Sequence, residues 1–145
     1  MSILFRQGNI LDDESLSFVN PVNCVGVMGK GLALKFKQDF PENYRYYKHV
    51  CDNKMLVPGR ILPFIEKGRT IFNFPTKYSW RDSSKYEYIS DGLEALSMLI
   101  QVFQTSSLAI PAIGCGLGGL SWTIVKPMII SQLENVGSTI MIYEP

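Results

Sequence analysis

The stretch Ser17-Phe18-Val19-Asn20-Pro21-Val22-Asn23-Cys24-Val25-Gly26-Val27-Met28-Gly29-Lys30-Gly31 decides how the chain folds. Its first six residues are a short apolar run of the kind that forms a buried strand, and the glycines after them mark a loop. Beyond Gly31, Leu32, Ala33, Phe36 and Phe40 recur at helical spacing with Lys35 and Lys37 between them. Pro41 separates this helix from a second through Tyr44, Tyr47 and Val50. A strand that enters a glycine loop and leaves it as a helix is the unit of a layered α/β protein. The same unit returns near the C-terminus, where Leu108-Ala109-Ile110 reads as a strand, Gly114 to Gly119 as a glycine loop and Trp122 to Leu133 as a helix.

The remaining segments complete that pattern. Ile3 to Arg6 reads as a first strand, followed by a turn at Asp12-Asp13-Glu14. Arg60 to Ile65 and Thr70 to Phe74 read as a hairpin about Glu66-Lys67-Gly68-Arg69. Ile89, Leu93, Leu96, Leu99, Ile100 and Phe103 have the spacing of a long amphipathic helix from Lys85 to Phe103. Thr139 to Tyr143 is the last strand. The expectation is a three-layer α/β/α fold around a central mixed sheet, formed by residues 1–145 as one domain.

Composition narrows the function. With 46% hydrophobic and 19% charged residues over 145 positions, the chain is a packed globular protein. Its net charge of +1, from 14 basic and 13 acidic residues, excludes bulk attraction to a long polyanion, so any nucleic-acid contact must be local. Cys24, Cys51 and Cys115 form no CxxC pair, which suits reduced thiols and a cytoplasmic location. No signal peptide and no membrane-spanning run is present. The single histidine, His49, excludes sites that need two imidazoles. A Cys3His metal site is opposed by the two-residue spacing of His49 and Cys51 in a helical stretch, which points them to different faces.

Both glycine loops stand where backbone N–H groups and a helix N-terminus could hold a diphosphate, although each could equally be a tight turn. Gly114, Gly116 and Gly119 satisfy GxGxxG, but too little sheet follows for a dinucleotide fold. Gly29-Lys30-Gly31 lacks the Ser or Thr of a P-loop, and Cys24 occupies the place of its first glycine. Asn20 and Asn23 are amides at a strand end that bond either the loop or a ligand hydroxyl. Lys77, in Phe74-Pro75-Thr76-Lys77-Tyr78-Ser79-Trp80-Arg81, follows a strand end. A lysine there is either a solvated charge or, at a cleft mouth, a nucleophile or base.

Taken together, these motifs resemble the macrodomain family of ADP-ribose-binding modules. Gly8-Asn9-Ile10 stands for that family's Gly-Asp-Ile opening. Val19-Asn20-Pro21-Val22-Asn23, Gly26 to Gly31 with Phe36-Lys37 and Phe40-Pro41, Phe74 to Lys77 with Trp80-Arg81, and Gly114 to Leu120 with Trp122 are similar to its DarG branch. Members of that branch are antitoxins that remove ADP-ribose from thymidine in DNA modified by the DarT toxin. The resemblance implies that Gly8, Asn9 and Ile10 meet the adenine and that Tyr143 stacks on it. It places Gly29, Lys30 and Gly31 of the first loop around the diphosphate and distal ribose. From the second loop it adds Pro111, Ile113, Gly114, Cys115, Gly116, Leu117 and Gly118. Asn23 would bond the distal ribose with Asn20 as its support, and Lys77 would act at its C1″ carbon.

No metal or further cofactor is implied, ADP-ribose being ligand or product. The implied partner is ADP-ribosylated single-stranded DNA, bound by a monomer. Asn9 departs from the usual aspartate, and Gly118 stands where a relative directed at glutamate has an aspartate, which counts against that substrate. The chain lacks the toxin-binding module of full-length antitoxins, so a free-standing enzyme countering the toxin is the expectation. Two other activities remain open: hydrolysis of ADP-ribose 1″-phosphate or an O-acetyl ester, and a reader that binds without turnover. Trp80 could stack on a base, and Lys30, Lys35, Lys37, Arg81 and Lys85 could form a basic rim. A core tryptophan and a solvated helix face are the alternatives.

Overall fold

The computed structural model describes residues 2–145. Ten regular elements follow in order: β1 (Ser2–Arg6), β2 (Ser17–Val22), α1 (Gly31–Asp39), α2 (Pro41–Asp52), β3 (Leu62–Glu66), β4 (Arg69–Pro75), α3 (Tyr86–Val102), β5 (Ser107–Ile110), α4 (Trp122–Leu133) and β6 (Thr139–Tyr143). The strands form one mixed sheet in the order β1-β6-β5-β2-β4-β3. Every pairing is parallel except β3 with β4.

The hairpin between those two strands closes through Lys67 and Gly68, both at positive φ, with Glu66 opposite Arg69. Two left-handed residues in a two-residue loop match the twist of the flanking strands. Leu62, not Arg60, begins β3, because Arg60 is held in a turn: its N–H donates to the Val57 carbonyl and its guanidinium to that of Met55. Short 3-10 turns at Ile10–Asp12 and Gly116–Gly118 were not evident from periodicity.

Strand alternation divides the core between the two faces of the sheet. On one face Phe18 packs with Ile71 and Ala109 against Phe36 and Phe40 of the α1 segment. Phe18 meets Phe36 edge-on at 5.9 Å between ring centres, and Phe36 and Phe40 stack at 5.9 Å. On the other face Val19, Phe72, Leu108, Ile140 and Ile142 are covered by α3 and α4. Each fully buried Phe or Leu contributes about 1.5–3 kcal/mol, so these layers hold the sheet between them. Among the described residues, no helix is long and apolar enough to cross a membrane.

Because β1, β2, β4, β5 and β6 run the same way, their C-terminal ends open on one edge of the sheet. Gly8, Asn23, Lys77, Pro111 and Tyr143 all stand there. In an open α/β sheet this is the edge where ligands bind.

Gly92 on α3 lies against the Phe74 ring, and a Cβ added to it would come within 2.3 Å of a ring carbon. Gly92→Ala therefore overpacks the core. It is expected to cost about 1–3 kcal/mol, seen as a lower urea midpoint at unchanged slope.

Candidate active site

At the β1 end of the edge, Asn9 accepts the Leu11 N–H at 3.1 Å and so caps the Ile10–Asp12 turn. Ile10 is buried against Phe18, Phe36 and Phe40. Gly8, Asn9 and Ile10 line one wall of a cleft of about 290 Å³, and Pro111, Ala112 and Tyr143 line another. Gly31, Leu32 and Lys35 of the first α1 turn also line it. Leu32 and Ala112 carry no signal in the sequence that places them here, and Lys35, a candidate for the basic rim, lines the cleft with Leu32 from the helical turn that Gly31 opens.

Tyr143 is fixed within that cleft. Its hydroxyl donates to the Asp13 carboxylate at 2.6 Å. Asp13 also accepts the Ser15 N–H at 2.8 Å and the Ser15 hydroxyl at 2.5 Å. Burial, then the bond and charge of Asp13, push the Tyr143 phenol up to about 12. Burial alone would raise the Asp13 carboxyl, but the bonds from Ser15 and Tyr143 outweigh it and hold it below its ordinary range.

The first glycine loop is built around Asn23. Its side-chain carbonyl accepts the N–H groups of Val25 and Val27 at 3.1 and 3.3 Å, and its amide donates to the Val27 carbonyl at 2.8 Å. The Tyr47 hydroxyl lies 2.8 Å from both Asn23 oxygens. The loop therefore occupies most of this amide, leaving one side-chain N–H for anything else.

Asn20 is fully buried and does not touch Asn23. Its amide donates to Asn73 at 3.1 Å, and Asn73 and Asn43 exchange hydrogen bonds at 3.1 and 2.8 Å. Support of Asn23 by Asn20 is thus replaced by an amide network that ties β2 to β4 and α2, because the partner β4 presents opposite Asn20 is Asn73. Behind the loop, Cys24 and Cys51 are buried. Burial, then the neighbouring Cys51, push the Cys24 thiol up to about 12, so it is no nucleophile at neutral pH.

Lys77 sits half-buried beside this loop. The Thr76 N–H donates to the Val22 carbonyl at 2.9 Å and the Cys24 N–H to that of Tyr78 at 2.7 Å, so the segment after β4 runs along the segment after β2. The Lys77 ammonium donates to the Trp80 carbonyl at 3.3 Å. Further on, the Ser84 N–H donates to the Gly118 carbonyl at 3.0 Å. Residues 76–84 form a strap from the first glycine loop to the second.

In the second loop Gly114 is buried at φ 75°, and a Cβ there would fall 2.8–2.9 Å from Leu120 and Ile89. The Ile113 side chain lies in the core with Ile89 and Val125, so only its backbone faces the loop. Cys115 is half-buried, Gly116 and Leu117 are exposed, and Gly118 is buried against the strap. On the other side Gly29 and Lys30 are exposed ahead of α1, whose N-terminus has no side-chain cap. Uncapped first-turn N–H groups suit an anion.

Trp80 is 52% exposed with the Arg81 guanidinium 4.8 Å from its ring centre, so it is not a core residue. Of the basic residues, Lys35 lines the cleft and Lys37 lies over the Tyr44 ring. Lys30, Arg81 and Lys85 are exposed.

The fold that carries this edge has counterparts among known proteins. The chain belongs to the macrodomain family, whose Macro domain model matches residues 19–129. It is similar to a DNA ADP-ribosyl glycohydrolase of Thermus aquaticus, 44% identical over 146 residues that cover 97% of this chain and 41% of the relative. The chain thus spans about two fifths of that relative. Among solved structures, the macrodomain of Thermus aquaticus DarG superposes with a TM-score of 0.94 at 43% identity, covering 99% of both chains. Thermosipho africanus DarTG in complex with ADP-ribose matches with a TM-score of 0.90 at 32% identity over 99% of this chain and 41% of that one.

The Asp13–Tyr143 pair should show in titration. The Asp13 contribution to stability is present above the ordinary carboxylate range and is lost as pH falls through its lowered value. Asp13→Asn is expected to flatten the acid limb of a stability-against-pH curve. The Tyr143 contribution is present below about 10 and is lost as pH rises through about 12. One tyrosine transition near 12, absent in Tyr143→Phe, is expected in an ultraviolet absorbance titration.

Proposed function

We propose that this chain binds ADP-ribose along the carboxyl edge of its sheet and hydrolyses it from a base in DNA, with Lys77 acting at C1″ of the distal ribose. The observation that carries this reading is the strap. It sets Lys77, after β4, beside the first glycine loop and is anchored to the second, whose Pro111 and Ala112 line the Asn9–Tyr143 cleft at the β1 and β6 end of the edge. A ligand with an adenine at one end, a diphosphate in the middle and a reacting ribose at the other matches that order. The likeness to DNA ADP-ribosyl glycohydrolases supports the same assignment.

Adenine would lie against Gly8, Asn9 and Ile10 with Tyr143 as its stacking ring. The diphosphate would take the N–H groups of Gly29, Lys30 and Gly31 in the first loop and of the exposed Gly116 and Leu117 in the second, with Gly118 behind them, and the free amide hydrogen of Asn23 would meet the distal ribose. Held in this way, the ADP half supplies binding energy that positions C1″. Lys77 either assists the attack of water at C1″ or, as the neutral amine, displaces the base to form a bond to C1″ that water then hydrolyses, returning the amine. The bond from C1″ to the base breaks, its electron pair and a proton leave with the base, and water supplies the oxygen that remains on C1″. No metal takes part in this scheme.

Lys77 must exchange its bond to the Trp80 carbonyl for the substrate, so DNA that engages Trp80 and Arg81 would help free the ammonium. Exposed Trp80 with the Arg81 guanidinium over its ring would be a local platform for an unpaired base and its phosphates. This is how a chain of net charge +1 would hold single-stranded DNA.

Lys77→Ala is expected to abolish release of ADP-ribose from an oligonucleotide carrying ADP-ribosyl-thymidine, with ADP-ribose affinity kept within about tenfold. Unchanged turnover defeats the mechanism. Trp80→Ala with Arg81→Ala should raise KM for that oligonucleotide and reduce its salt dependence, while ADP-ribose affinity stays unchanged. Faster turnover of ADP-ribose 1″-phosphate or of an O-acetyl ester, with indifference to salt, would instead make the substrate a small molecule.

A further inference from the structure

The strap holds a second polar side chain that neither the fold nor the proposed reaction uses. Ser84 is 6% exposed, and its hydroxyl has no hydrogen-bond partner. A buried hydroxyl without a partner costs about 1–3 kcal/mol, so its presence needs a cause. Capping α3 is not the cause: Lys85 is the residue that enters that helix, and no side chain caps it. The hydroxyl is instead aimed at the second glycine loop. An ideal Cβ on Gly118 would lie 2.5 Å from the Ser84 oxygen, which therefore fills the space that a side chain at 118 would take.

The loop segment above it has a left-handed glycine on either side of the contact. Gly116 and Gly119 flank the contact at φ 72° and 82°, and neither has an atom within 4 Å of where a Cβ would stand. Gly118 stays tethered through its carbonyl to the Ser84 N–H at 3.0 Å. To uncover the hydroxyl, the turn would have to rotate about the two flanking glycines with that tether kept. Ser84 also closes the strap that carries Lys77, through its bond to the second glycine loop.

Resting on the reading of the site given above, we propose that Ser84 is a further ligand-binding residue whose hydroxyl bonds an oxygen of the distal ribose of ADP-ribose once the Gly116–Gly118 turn moves off it. Such a bond would hold the reacting sugar against Lys77 from the side opposite Asn23, and would restrict position 118 to glycine.

The test is Ser84→Ala, with ADP-ribose and ADP titrated calorimetrically and thermal unfolding followed without ligand. The expected result is a loss of about five- to tenfold in ADP-ribose affinity, unchanged ADP affinity, and an unfolding midpoint that does not fall, since the hydroxyl has no bond to lose. Unchanged ADP-ribose affinity, equal weakening of both ligands, or a lowered midpoint would each overturn the assignment and make Ser84 structural. Failure of the unsubstituted chain to bind ADP-ribose would defeat the functional reading itself, and is seen separately in the same titration.

Discussion

Parallel pairing of β2 with both β4 and β5 is the constraint on which the rest of the molecule depends. Phe18 and Val19 of β2, projecting to opposite faces, are each fully buried, one under α1 and the other under α3 and α4. With β2 fixed in that position, the segments after Val22, Pro75 and Ile110 must leave the sheet side by side. A parallel strand needs a crossover to return, and the helices that supply those crossovers form the outer layers. The edge left free at the carboxyl ends is therefore lined by loops, and the loops carry the polar and glycine residues that the core cannot accept.

Two sets of amides keep that edge in shape. Asn20, Asn73 and Asn43 join β2, β4 and α2 beneath it, in positions where an apolar residue could not link three elements in one geometry. Asn23 and Tyr47 shape the first loop from within and behind. Buried amides bonded to one another restrict a structure to a single arrangement more strictly than apolar contacts of similar size, because a displaced amide loses its partner in a low-dielectric setting. The site thus rests on a polar scaffold within the apolar layers.

Much of this was legible beforehand. The apolar run of β2, the helical spacing from Leu32 to Phe40 and from Ile89 to Phe103, and the hairpin about Lys67-Gly68 each follow from local stereochemistry, and each stands within a residue or two of its expected place. An amide at a strand end has the same appearance whether it faces a ligand or a neighbouring strand, and only the structure turns Asn20 to Asn73. Ile113 stands in the loop segment with its side chain in the core, since a single apolar residue beside a glycine has no periodicity to reveal its direction. Asp13 and Ser84 left no local signal at all. Their partners, Tyr143 and Gly118, are distant in sequence.

By itself the sequence determined which segments would be strands and helices, that two glycine loops would interrupt them, and that Lys77 would follow a strand end. Those are consequences of backbone propensity and of hydrophobic period, which act over a few residues. Only the tertiary structure decided that both loops and Lys77 share one edge, that a strap of backbone hydrogen bonds joins them, that Trp80 is a surface residue, and that Tyr143 is locked to Asp13. Each of these depends on strand order and on contacts between residues far apart in the chain, and no local preference specifies either.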